Sequence, residues 1–191
     1  MSDSSESSTE ISRKRKRKIS SWYVHVYIND DNKTMTLNVV GTIKQKMANK
    51  IFEAFDQAIT QGLKRIVIYV TSGGGHSDAG FAIYNQIKVY KKELDIVVIG
   101  QGQIASSAID ILLASDKRYC TSDCDILVHG ISYSSKNVEK LWNEKMIRLF
   151  GKRTKRDHKY WHDRMLTGDH NYTPKEAKHI GLVHNIIELK K

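Results

Sequence analysis

Residues 63–87 read LKRIVIYVTSGGGHSDAGFAIYNQI, and their order sets the fold. Leu63 to Val70 is a short, nearly unbroken run rich in β-branched residues. That is the composition of a parallel-sheet strand buried on both faces. Gly73, Gly74 and Gly75 interrupt it, and Ala79, Ile83 and Ile87 then recur every four positions along one helix face. Strand, glycine turn and helix together make the βα unit of an α/β domain.

The pattern repeats on both sides. Downstream, LDIVVIG (94–100) is a second buried strand, and small residues lead into a helix expected from Ser106 to Ala114. RYCT (118–121) and DILVH (125–129) read as short strands. Upstream, WYVHVYI (22–28) and TMTLNVV (34–40) flank the polar turn NDDNK and predict a hairpin. Met47, Ile51, Phe55 and Ile59 predict a helix from Lys44 to Gln61, with Gly62 as its stop. Residues 136–166 predict one longer amphipathic helical region marked by Leu141, Ile147, Leu149 and Trp161.

Near the end, Thr173-Pro174-Lys175-Glu176 is a helix start. Thr173 caps free amides, Pro174 needs no N–H at the first position, and Glu176 bonds back to the cap. Gly181 ends that helix, and LVHNIIEL (182–189) closes as a strand. Such alternation predicts an α/β fold with stacked βαβ units and helix-covered parallel strands.

The chain has 191 residues, 40% of them hydrophobic, enough for one cored domain with a tail. No apolar run reaches the roughly 18 residues of a membrane span, and no apolar h-region opens the sequence. Cys120 and Cys124 are too few for a disulfide scaffold and fit a reducing, cytoplasmic setting. A lone C-x3-C gives no metal site, and no Walker A sequence occurs, so no metal or cofactor is expected.

A formal net charge of +10 suggests nucleic acid as a partner, but its distribution argues otherwise. Residues 1–18 carry +3 and residues 136–160 carry +6, leaving the rest at +1. Residues 1–19, Ser-rich and then basic from Arg13 to Lys18, are expected to be a disordered tail ahead of a domain spanning 20–191.

Two strand-to-helix junctions carry the candidate chemistry. At TSGGGHSDAG (71–80) the glycines allow positive φ and a close approach of substrate backbone, or simply a tight turn. At GQGQIASSAIDILLA (100–114), Ser106 and Ser107 stand near free amides at a helix start, where serines ordinarily serve as caps. The G-x-S-x-G elbow of α/β-hydrolases is absent. A catalytic serine needs a base and a group to orient it. His129 ends a predicted strand, and Asp169 precedes the capped helix, with Asp163 as the alternative acid.

Together these segments resemble the ClpP family of self-compartmentalised serine proteases over about residues 34–188. TSGGGHSDAGFAIYNQI is similar to its N-S-P-G-G-x-x-x-A-G-x-x-I-Y stretch, and GQIASSAIDILLAS to G-Q-A-A-S-M-G-A-x-L-L. KRYCTSDCDILVHG is similar to K-R-x-x-x-P-N-[AS]-x-x-M-I-H-Q, and GDHNYTPKEAKHIGLVHNI to the family's closing D-x-x-x-[ST]-x-x-E-A segment. The resemblance implies a ClpP/crotonase-like fold with a handle helix within about 132–166. It places Ser106 on the nucleophile, His129 on the base, Asp169 on the orienting acid, and Gly75 and Ser107 on the oxyanion hole.

It further implies a homo-oligomer, a heptameric ring or double ring, fed with unfolded protein by an AAA+ unfoldase. No membrane or nucleic-acid partner is implied. Gly73, His76, Ala108, Asp110 and Gly130 depart from the family pattern, and the segment between His129 and Asp169 is short. A bacteriophage source would suit this divergent form, and a capsid-maturation protease would use the same chemistry. A non-catalytic ring subunit and a crotonase-type acyl-CoA enzyme are the other readings.

Overall fold

The computed structural model describes residues 22–29, 31 and 33–189. The tail expected over 1–19 lies outside the described residues. Strands β1 (Trp22–Asn29) and β2 (Thr34–Gly41) form the expected antiparallel hairpin, in register from Trp22–Gly41 to Asn29–Thr34. From β2 the sheet continues parallel through β3 (Arg65–Ser72) and β4 (Asp95–Ala105) to β5 (Lys117–Thr121) and β8 (Asn185–Ile187). Helices α1 (Gln45–Thr60), α2 (Ser77–Tyr90) and α3 (Ala108–Ala114) make the crossovers that parallel pairing requires.

Period-two alternation explains the core. Met35, Leu37 and Val39 of β2 line up with Ile66, Ile68 and Val70 of β3 and Ile96 and Val98 of β4, all buried. Met47, Ile51 and Phe55 of α1 join that cluster. The opposite face of β3, with Val67 and Tyr69, is only half-buried. The expectation of a strand buried on both faces is therefore corrected. β-Branched residues suit a pleated surface even when one side stays wet.

The predicted strand end at Gly100 is also corrected. β4 runs on to Ala105 through an irregularity in which pairing moves from Val70–Gly100 to Ser72–Ile104, taking in two extra residues. A bulge re-aims a strand. Before it β4 pairs with β5, and after it with β6 (Asp125–Val128). Cys124 precedes β6, so only Cys120 is a strand thiol; both are buried and free.

The single helix expected over 136–166 is two helices, α4 (Lys136–Arg153) and α5 (His158–Leu166). The break lets Phe150 and Trp161 meet edge to face at 4.8 Å, both fully buried. The Trp161 indole donates to Thr154 Oγ1 (2.7 Å), and the Lys155 amide donates to the Ile180 carbonyl (2.8 Å). Asp157 caps α5 by accepting from the Tyr160 amide at 2.8 Å. Leu141 is no core marker, being 67% exposed.

The capping box of α6 (Pro174–Ile180) forms as read, with Gly181 left-handed at its end. The closing strand is shorter than expected, three residues in β8. Just before α6 comes a strand the sequence did not announce, β7 (His170–Tyr172), antiparallel to β6. Among the described residues no helix is long and apolar enough to cross a membrane.

Candidate active site

Three chain segments end side by side. Ala105 pairs with Leu127, and the Ser106 amide continues that ladder by donating to the Leu127 carbonyl at 3.1 Å. Val128 pairs with His170 at the end of the β6–β7 ladder, so His129 leaves β6 at the end where Asp169 enters β7. Ser106 follows β4, His129 follows β6 and Asp169 precedes β7.

Ser106 takes a positive φ of 55°, in the left-handed region that a residue with a side chain seldom adopts. The strand thereby turns into α3, which starts at Ala108 rather than at Ser106 as expected. The turn is closed by the Ile109 amide donating to the Ser106 carbonyl at 2.9 Å. Room for the serine comes from the loop between β3 and α2. A Cβ on Gly74 would stand 3.3 Å from Ser106 Oγ.

The glycine loop is held through Ile43. Its amide donates to the Gly74 carbonyl (2.9 Å), and its carbonyl accepts from the His76 amide (3.0 Å). Gly75 lies between them at φ 155°, where a Cβ would fall 2.3 Å from the Ile43 carbonyl oxygen. Neither the Gly75 amide nor the Ser107 amide donates a hydrogen bond to the described residues. Two free amides beside a serine hydroxyl are suited to a developing oxyanion. His76 itself is exposed.

Ser106, Ser107 and His129 line one cavity, together with Ser77, Asp110 and Met146. His129 and Asp169 line a neighbouring open cleft. Among the described residues no hydrogen bond links Ser106 to His129 or His129 to Asp169. His129 Nδ1 instead meets the Gly130 carbonyl at 2.6 Å. A carbonyl oxygen only accepts, so Nδ1 is the donor in this contact, and in the neutral ring Nε2 is then the acceptor. Asp169 is exposed. Asp163 lies on α5 beside Lys159 (3.5 Å) and His162 (3.4 Å).

Two residues support this segment through long-range contacts: Asn143, which the sequence reading missed, and Gly130, noted there only as a departure from the family pattern. Asn143 of α4 clamps the segment after His129, accepting from the Ile131 amide (2.7 Å) and donating to the Ile131 carbonyl (2.8 Å). Gly130 is confined by α5, since a Cβ there would lie 2.3 Å from the Met165 carbonyl oxygen. No side chain fits at Gly130, where the family pattern has glutamine.

Fold and site thus define an α/β protein on a mostly parallel sheet, with serine, histidine and aspartate at adjoining strand ends. Comparison with known proteins then gives the family. Residues 24–190 match the Clp protease family model, and the chain belongs to that family. It is 31% identical over 140 residues to the ATP-dependent Clp protease proteolytic subunit 2 of Treponema denticola, covering 66% of this chain and 68% of that one. It is 27% identical over 177 residues to proteolytic subunit 3 of Rhizobium johnstonii, covering 81% and 84%. Among solved structures, ClpP1 from Listeria monocytogenes superposes with a TM-score of 0.74 at 24% identity over 84% of this chain and 94% of that one, a likeness of fold.

Proposed function

We propose that this chain is a serine endopeptidase subunit of a ring-shaped, self-compartmentalised protease. Ser106 is the nucleophile, His129 the general base and Asp169 the acid that orients the imidazole. The observation that carries this reading is the turn at Ser106. A left-handed serine ends a strand, faces a bare glycine loop and shares a cavity with the histidine that ends the next strand. Strained backbone of this kind costs about 1–3 kcal/mol and collects at functional sites.

The chemistry is acyl transfer. His129 Nε2 takes the proton from Ser106 Oγ as the oxygen bonds to the peptide carbonyl carbon. The carbonyl electrons move to oxygen, and the Gly75 and Ser107 amides stabilise that charge. The C–N bond then breaks, and the leaving amine takes the proton from His129. Water repeats the attack, freeing the carboxylate and restoring the serine. In the acting form Asp169 accepts the Nδ1 hydrogen bond that the Gly130 carbonyl holds in this structure, so the imidazole turns from Gly130 towards Asp169.

The relatives' names describe ATP-dependent subunits. The chain has no Walker A sequence of its own, so a separate AAA+ unfoldase supplies the ATP step and delivers unfolded protein. The working form is a homo-oligomer, a heptameric ring or double ring in the cytoplasm. Ring pairing through the basic α4–α5 region depends on salt concentration.

Fluorophosphonate labelling of the purified oligomer tests the reading. Ser106 takes up the probe, and Ser106→Ala removes the signal. An assembled oligomer without Ser106-dependent labelling is instead a non-catalytic ring subunit. The lack of hydrogen bonds joining Ser106, His129 and Asp169 favours that second reading.

A further inference from the structure

Asp110 has no part in the chemistry described above. It lies in α3, one turn beyond Ser106, and is wholly buried. Neither carboxyl oxygen has a hydrogen-bond partner among the described residues. A buried carboxyl without a donor is costly whether it is charged or neutral. Desolvation drives it well above the usual carboxylate range, with Lys145 opposing.

The surroundings leave it unanswered. Gly80 of α2 backs Oδ2 so closely that a Cβ would sit 3.1 Å away, yet it has no side chain to donate. Lys145 makes no ion pair with it. Its ammonium rests over the rings of Phe81 and Trp142, at 3.8 and 4.4 Å from their centroids.

Asp110 lines the cavity beside Ser106 and His129. The rest of the wall is mostly apolar, with Val128, Ile131, Met146 and Phe150, and Ser77 and Ser107 add hydroxyls. In a serine peptidase the pocket beside the nucleophile receives the side chain that precedes the scissile bond. Apolar walls around a single acid suit a long aliphatic stem that ends in a cation. The stem lies along the walls, and the cation supplies the donors and the charge that Asp110 lacks. The void is about 10 Å³, room for one water, so entry requires α4 side chains to yield. Met146 is unbranched and suited to that movement.

We propose that Asp110 is the specificity-determining residue of this site and that the chain cleaves after lysine or arginine. The proposal rests on the reading of Ser106 as nucleophile.

The test uses the assembled protein and peptides that differ only at the residue before the scissile bond, Arg, Lys, Leu or Gln, beside fluorophosphonate labelling. The expected result is a kcat/KM for Arg or Lys about 10²-fold above that for Leu or Gln. Asp110→Asn, of the same shape without the charge, brings the Arg-to-Leu ratio towards one. A labelled wild-type enzyme that prefers Leu or Gln overturns the proposal and leaves Ser106 as nucleophile. So does an Arg preference that survives in Asp110→Asn. An assembled oligomer without labelling overturns both readings together.

Discussion

Gly74 and Ser106 face each other with no space for a second side chain. A Cβ on Gly74 would lie 2.6 Å from the Cβ of Ser106 and 2.8 Å from the Ala105 carbonyl oxygen. In the G-x-S-x-G elbow, glycines two residues before and after the serine accompany the sharp strand-to-helix turn. Here the glycine comes from a different segment, the loop after β3. The elbow is assembled in space, which is why no such motif is found around Ser106.

Gly74→Ala follows from that contact. The substitution meets both a backbone clash and a φ of 93°. Relief requires the loop or the Ser106 turn to shift, at about 1–3 kcal/mol. The expected outcome is a lower Tm and at least a roughly tenfold slower reaction of Ser106 with fluorophosphonate. A variant labelled at the wild-type rate would show that Gly74 does not hold the serine turn.

How far the sequence announced this arrangement depended on the range of the forces involved. The capping box at Thr173 and Glu176 and the stops at Gly62 and Gly181 are local, and each formed where its residues indicated. The continuation of β4 to Ala105 was hidden, because Gly100 read as the strand's end although the strand runs on through a bulge that changes its partner. β7 has three residues and exists through its pairing with β6. The break between α4 and α5 reflects the meeting of Phe150 and Trp161, which no helical periodicity encodes. Ser106, His129 and Asp169 were each legible singly as caps or strand ends, and their ordering into one set came from the family resemblance. The isolation of Asp110 was legible only in part. Its charge stood out on an apolar helix, but the absence of any answering donor is a fact of three dimensions.

Gly130→Gln, which restores the family's residue after the histidine, is expected to destabilise this chain. Its Cβ would overlap the Met165 carbonyl oxygen at 2.3 Å and crowd Asn143 Oδ1 at 3.1 Å. Forcing atoms into a filled contact costs about 1–3 kcal/mol. Denaturant unfolding reads this as a lower midpoint at unchanged slope. A midpoint equal to wild type would mean that α5 is free to move away.

Asn143→Leu removes both hydrogen bonds to Ile131 while keeping the side chain's bulk. The Ile131 amide and carbonyl are part-buried, so the loss is about 1–2 kcal/mol. His129 stands two residues upstream on the same segment. Labelling of Ser106 is therefore expected to slow while reaction of buried Cys120 with a thiol reagent stays slow, separating a loosened base from an opened core. Wild-type labelling kinetics in a destabilised Asn143→Leu would show that the clamp does not position His129.

The buried Asp110 carboxyl gives the stability of the chain a particular pH dependence. In the unfolded chain an aspartate titrates near about 3.9. In the folded chain desolvation holds Asp110 well above that, against the opposing charge of Lys145. Between those two values the folded chain keeps a proton that the unfolded chain has released. Stability therefore falls as pH rises, by at most about 1.4 kcal/mol per pH unit, and the loss is complete once the folded value is passed. Carboxylates such as Asp95, held low by hydrogen bonds from Lys117 and Arg65, work in the opposite direction. They are present in both proteins and cancel when wild type is compared with Asp110→Asn, which does not titrate at this position. The two proteins should unfold at a similar denaturant concentration below about pH 4, with Asp110→Asn gaining an advantage that widens as pH rises. A difference that is constant from pH 4 to 8 would mean that the Asp110 carboxyl titrates alike in the folded and unfolded chain. A partner for it inside the fold would then have to exist.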